Sequence, residues 1–174
     1  MVIHRARILP LSALLALILA LASATVAMAA GMTISIGPNG TILKPGNSTV
    51  NVPVTVTCSV NSVPGYSYTP ASGTITVTLS QTFKGITTTG TGSTPVTCTG
   101  QPQSLVISVL APSGSGFRSG AATVSASGSA YGTFDYQVGS CDATTGICTY
   151  QTVTQGYYDT GSAGPQPIKM ATPD

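Results

Sequence analysis

From Val50 to Cys58 every second residue is apolar: Val50, Val52, Val54, Val56 and Cys58, separated by Asn51, Pro53, Thr55 and Thr57. Successive side chains of an extended chain point to opposite faces, so a period of two predicts a half-buried β-strand, not an amphipathic helix. Ile75, Val77 and Leu79 mark a second stripe within Thr74 to Gln81, and Leu105, Ile107 and Val109 a third. Ala122, Val124 and Ala126 form a small-sided stripe, which predicts close approach of a facing sheet. Phe134, Tyr136 and Val138 continue that stripe, and Ile147 to Thr154 reads as a last strand. No stretch after residue 30 supports an amphipathic helix of even three turns. Pro53 has no N–H for a ladder, which predicts an edge or a kink at that point.

Breakers separate the stripes: Pro38-Asn39-Gly40, Lys44-Pro45-Gly46, Val63-Pro64-Gly65, Gly90-Thr91-Gly92 and Pro112 to Gly116. Several short strands at this spacing predict an all-β, antiparallel sandwich with Greek-key connections. The Gly- and Pro-containing stretch 157–174 reads as a flexible C-terminal tail.

The N-terminal thirty residues have the layout of a secretory signal. His4, Arg5 and Arg7 form a basic head, Ile8 to Ala22 is almost wholly apolar, and Ala27-Met28-Ala29 offers a small-x-small cleavage pattern. The expected cut follows Ala29, giving a signal peptide over 1–29 and a domain over 30–156. The competing reading is a retained anchor, because Ile8 to Ala30 carries no charge and could just span a bilayer. The cleavage pattern and the uncharged outer flank favour the signal. No cysteine at the cut invites a lipid, so free secretion is the expectation.

Export reshapes the charge balance. About 145 residues would remain, enough for one domain with a modest core. They keep Lys44, Lys84, Arg118 and Lys169 against Asp135, Asp142, Asp159 and Asp174. A balance near zero gives no electrostatic footprint for nucleic acid or anionic lipid. The only histidine, His4, would leave with the signal, and the whole chain has no Glu.

All four cysteines lie beyond the signal, where an even count reads as disulfides. Cys141 and Cys148 bracket a turn-forming stretch between two strands, and a hairpin would bring them together. Cys58 then pairs with Cys98. Closing a loop of that length stabilises by about 3–4 kcal/mol on the chain-entropy model. With no Trp and three Phe, the core is expected to need such staples.

The order Val54-Thr55-Val56-Thr57-Cys58, Val77-Thr78-Leu79-Ser80-Gln81, Cys98-Thr99-Gly100 and Phe117-Arg118-Ser119-Gly120-Ala121-Ala122-Thr123-Val124-Ser125-Ala126 resembles small secreted immunoglobulin-like proteins of Gram-positive bacteria, actinobacteria especially. Those proteins often close with a second, closely spaced cysteine pair, as Cys141 and Cys148 are placed here. The resemblance covers about residues 32 to 156. It implies the immunoglobulin-like fold and assigns no activity.

Catalytic constellations are poorly supplied. A Ser-His-Asp or Cys-His arrangement needs an imidazole, which the exported part lacks. Asp135, Asp142 and Asp159 are the non-terminal carboxylates, and nothing in their setting suggests the convergence that glycosidase chemistry requires. A Ser/Lys dyad using Lys44 or Lys84 is formally available, but both lysines sit close to a glycine in turn-like sequence, where solvated lysines are ordinary. No metal site or cofactor is expected: extracellular CxxxxxxC is better explained by a disulfide than by zinc. Asp142 at the head of a turn is better explained by bonding to its own backbone than by calcium. Asn39-Gly40-Thr41 and Asn47-Ser48-Thr49 fit the glycosylation pattern, usually silent in bacteria.

Tyrosine is the one enriched contact-making residue. Tyr66 and Tyr68 lie two apart near a Pro-Gly turn, would share a face on a strand, and are the candidate binding residues, although the favoured reading of the tyrosines is as half-buried strand residues or strand-end covers. Tyr131, Tyr136 and Tyr150 fall on the late strands, Tyr157 and Tyr158 in the tail. The leading reading is a secreted, non-catalytic protein that binds an extracellular protein or glycan, or coats the cell exterior. The alternative is a small-molecule carrier with a cleft in the sandwich, as in neocarzinostatin-like proteins. A secreted hydrolase is the remote third.

Overall fold

The computed structural model describes residues 31–58 and 67–173. The N-terminal segment read as an export signal, 1–29, and Tyr66 lie outside the described residues. Eight strands are present among the described ones: β1 (Met32–Ile36), β2 (Asn39–Leu43), β3 (Thr49–Cys58), β4 (Ser67–Phe83), β5 (Ile86–Thr97), β6 (Gln103–Leu110), β7 (Gly120–Cys141) and β8 (Cys148–Ala171). The all-β expectation and both disulfides, Cys58–Cys98 and Cys141–Cys148, are found.

The strands form one mixed sheet in the order β1-β3-β2-β8-β7-β4-β5-β6, and β6 pairs back onto β3. The circuit of hydrogen bonds therefore closes on itself. Two of its seams are thin. β2 meets β8 through three rungs, Asn39↔Lys169, Gly40↔Met170 and Thr41↔Ala171, and these run parallel. β5 meets β6 through the single rung Thr91↔Leu110. The other ladders are antiparallel, so the uniformly antiparallel expectation is corrected at β2–β8 only.

The period-two stripes point inward as anticipated. Val50, Val52, Val54, Val56 and Cys58 of β3 are buried with Ile75, Val77 and Leu79 of β4 and Ile107 and Val109 of β6. Ala122, Val124 and Ala126 join the same core. Each fully buried Val or Leu contributes about 1.5–3 kcal/mol relative to exposure. Leu105 is only partly buried and packs at the margin.

Pro53 is not on an edge. β3 is flanked by β6 on one side and by β1 then β2 on the other. β1 covers rungs 54–58 and β2 covers 49–51, so Pro53 falls where one gives way to the other. Its missing N–H is absorbed at that gap, and its carbonyl accepts a bond from the Gly37 N–H at 2.8 Å.

Two further expectations are corrected. Gly90-Thr91-Gly92 is not a turn but the middle of β5. A Cβ at Gly90 would meet the Leu110 carbonyl and one at Gly92 the Ser108 carbonyl, so both glycines let the β6 backbone cross β5 closely. The stretch 157–171 is no tail, because it continues β8, pairs with β7 and β2, and buries Tyr157, Ile168 and Met170. Gly164 at φ 82 takes up the register shift between Val124 and Ala126 instead of ending the strand.

Candidate functional site

The feature that sets this molecule apart from a plain closed sheet is the β7–β8 hairpin. β4 pairs with β7 as far as the rung Ser67↔Asp135. β7 and β8 then continue together from Tyr136↔Val153 to Cys141↔Cys148. Six rungs at about 3.3 Å each carry this two-stranded arm roughly 20 Å past Ser67, the first described residue of β4. Among the described residues, no other strand pairs with it there.

A two-stranded ribbon in water is marginal on its own, and the tip of this one is secured twice. Cys141–Cys148 ties the last rung. Inside it the Asp142 carboxylate (Oδ1) accepts the Thr144 N–H at 2.7 Å and the Thr145 N–H at 3.0 Å, and the Gly146 N–H reaches the Asp142 carbonyl at 2.9 Å. Gly146 supplies the positive φ of 70° that the turn needs. The N–H groups of Thr145 and Thr144 hold the Asp142 carboxyl below its ordinary value. The turn role expected for Asp142 is the geometry observed.

The register assigns the faces of the arm. Phe134, Tyr136 and Val138 share one face with Val153 and Gln151, extending the inner stripe of the body. Gln137, Gly139, Tyr150, Thr152 and Thr154 share the other. Tyr150 lies across Gly139, where a Cβ would touch its ring at 2.8 Å. Nearer the body Tyr131 and Tyr158 face each other with ring centroids 4.9 Å apart. Val138 (48%), Ile147 (64%), Tyr150 (67%) and Tyr158 (72%) remain solvent-exposed. Tyr158 belongs to the body, and other exposed apolar side chains lie off the arm at Phe83, Ile86, Val106 and Leu110.

Of the two candidate binding tyrosines, the backbone of Tyr68 pairs with Phe134 at the base of this arm. Tyr66 lies outside the described residues. Cys58 and Cys98 are wholly buried, whereas Cys141 and Cys148 are exposed. Asp159 is also wholly buried, and one of its carboxylate oxygens and the sulfurs of Cys58 and Cys98 lie within 4.8 Å of one another. With the disulfide formed those sulfurs present no thiolate, the form in which cysteine binds a metal.

The opposite end of β4 carries a second feature, an open cleft of about 520 Å³ lined in part by Phe83, Lys84, Ile86 and Arg118. Lys84 and Gly85 form the two-residue β4–β5 turn with φ of 50° and 80°, as a tight hairpin of this kind demands. Lys84 Nζ lies 5.7 Å and Arg118 Cζ 5.3 Å from the centre of the Phe83 ring, within cation–π range. Arg118 is fixed by buried Gln81, whose amide donates to the Arg118 carbonyl at 2.8 Å and whose side-chain oxygen accepts the Arg118 N–H at 2.9 Å.

Sequence reasoning found the strands of the arm but not that they leave the sheet. The signal was there in weak form: from Gln137 onward polar Thr, Gln and Ser dominate both faces, which a covered strand would not tolerate. It had no means of joining Lys84 to Arg118, thirty-four positions apart. No protein-family model matches the chain, and no curated protein is similar enough to count as a relative.

Proposed function

We propose that the chain is an exported, non-catalytic binding or structural protein of the cell exterior, built on an immunoglobulin-like sandwich and acting through its β7–β8 arm. The observation that carries this reading is the arm itself. A disulfide-clamped ribbon that leaves the core and holds Tyr150, Ile147 and Val138 in water adds nothing to burial. Its layout suits contact with an extracellular protein or glycan. Tyr66 and Tyr68 enter the proposal as further contact residues, Tyr68 because its backbone pairs at the base of the arm.

The thin seams support the sandwich reading. β1, β2, β3 and β6 form one half and β8, β7, β4 and β5 the other, joined by strand ladders among the described residues only at β2–β8 and β5–β6. Cys58 ends β3 in the first half and Cys98 follows β5 in the second, so that bridge ties the two halves. Paired cysteines also fit an oxidising compartment.

Fractionation of the native cells tests the proposal. The protein is expected outside the cytoplasm, cut after Ala29, and sedimenting with the cell envelope or a partner. Tyr150→Ala should release it from that fraction while its circular dichroism stays unchanged. Recovery in the cytosol with an intact N-terminus would overturn the reading.

A further inference from the structure

The β7–β8 arm has two edges, and they differ from the rest of the molecule. In the body, β3, β4, β5, β6 and most of β7 are hydrogen-bonded on both sides along at least part of their length. Among the described residues, Thr149 to Gly156 of β8 pair only with β7. A long unpaired edge is a template for another strand, and proteins that stay monomeric blunt such edges with charge, proline or a bulge. β8 applies these devices at its other end. Gly164, Pro165 and Pro167 sit beside a register shift, and Lys169 follows. Thr149-Tyr150-Gln151-Thr152-Val153-Thr154-Gln155-Gly156 has none of them: no charge, no proline, no shift in register.

We infer that this edge is a self-association surface, on which the same edge of a second copy adds antiparallel to make a four-stranded sheet from two arms. Three observations select a second copy as the occupant. The segment is uncharged, so two identical edges meet without the like-charge cost that normally forbids self-pairing. β4 pairs on the β7 side, and among the described residues no strand pairs with the β8 side from Thr149 to Gly156. The arm projects past the body by enough length for two arms to overlap in opposite directions, with the bodies at the two ends. A twofold axis at Thr152, which sets Thr152 opposite its own copy, closes the contact and limits it to a dimer. Across that axis the exposed Tyr150 of each copy comes beside the Thr152–Thr154 stretch of the other, an aromatic–β-branched pairing.

This inference rests on the proposed role of the arm, and one set of variants separates the two. Sedimentation equilibrium of the purified, oxidised protein should show a concentration-dependent dimer. Thr152 is exposed on the arm, so Thr152→Lys and Thr152→Glu should each fold normally and weaken the dimer by at least about tenfold, the usual consequence of like charges facing across a strand pair. An equimolar mixture of the two variants should recover a heterodimer. A wild-type protein that stays monomeric up to millimolar concentration would overturn the inference, as would Lys and Glu variants that dimerise as tightly as wild type. Open-ended polymers would overturn the twofold contact. A monomeric wild type whose Thr152→Lys variant nevertheless leaves the envelope fraction would sink the dimer and leave the arm's binding role standing.

Discussion

Gly132 and Tyr157 stand directly opposite each other on the β7–β8 ladder, and the tyrosine ring fills the space that a side chain at 132 would take. The Tyr157 hydroxyl donates to the Thr69 carbonyl at 3.2 Å, and Thr69 marks the register shift of β4 at the foot of the arm. Ring and hydroxyl together therefore join β4, β7 and β8 at the foot of the arm. Gly139 and Tyr150 repeat the arrangement on the opposite face, further out along the arm.

Tyr157→Phe removes only the hydroxyl bond and should cost about 0.5–1.5 kcal/mol. Tyr157→Ala also empties the buried space over Gly132 and should cost about 3–5 kcal/mol. Urea denaturation of both variants checks the ordering. Equal losses would mean the ring is not the stabilising part.

The two disulfides should part company under reductant. Cys58 and Cys98 are sealed in the core beside a buried carboxylate, whereas Cys141 and Cys148 are exposed at the arm tip. Thiolate attack needs access to sulfur, so native protein in mild dithiothreitol should lose Cys141–Cys148 first. Alkylation followed by mass spectrometry reads the order. Prior loss of Cys58–Cys98 would contradict the burial argument.

The arm tip should loosen in acid. The Thr145 and Thr144 N–H groups lower the Asp142 pKa, so the carboxylate form is favoured by the folded turn. Its stabilisation is complete above the pKa of the unfolded chain and is lost as pH falls through the lower, folded value. The amide shifts of Thr144 and Thr145 should titrate with a midpoint below that of the reduced, unfolded chain. Asp142→Ala should abolish the titration. A midpoint at or above the unfolded value would refute the turn's electrostatics.

Gly92 is required by the crossing of β6 over β5. Gly92→Ala would push a methyl group into the Ser108 carbonyl, a backbone atom that cannot swing aside. The expected loss is about 1–3 kcal/mol, read as a lower denaturation midpoint. Gly46→Ala is a useful contrast. Nothing lies near a Cβ there, so only the positive φ of 92° is strained.

Glycine and proline were the least legible residues in the sequence, because each has two physical uses that a single chain does not distinguish. Gly90 and Gly92 permit close backbone approach within a strand, although the same residues end strands elsewhere. Pro53 reads as an edge or a kink, and in the fold its missing N–H lies in the gap between β1 and β2. The candidate site was half visible: Tyr150 and the Cys141–Cys148 hairpin could be placed on strands, but whether any strand covered them could not.

Local chemistry settled what depends on neighbours along the chain. Period-two alternation set the strands and their inward faces, and paired cysteines around a turn set the hairpin clamp, because side-chain direction and loop closure follow from spacing alone. Tertiary structure decided what depends on distant partners. Among the described residues, only β7 and β8 pair beyond the rung Ser67↔Asp135, a relation between distant segments that spacing along the chain does not give. The packing of Ile168 and Met170 makes a strand of what composition describes as a tail. Gln81 brings Arg118 to Lys84 and Phe83. Each outcome turns on which surfaces remain to be buried once the other strands are in place, and that is a property of the assembled sheet.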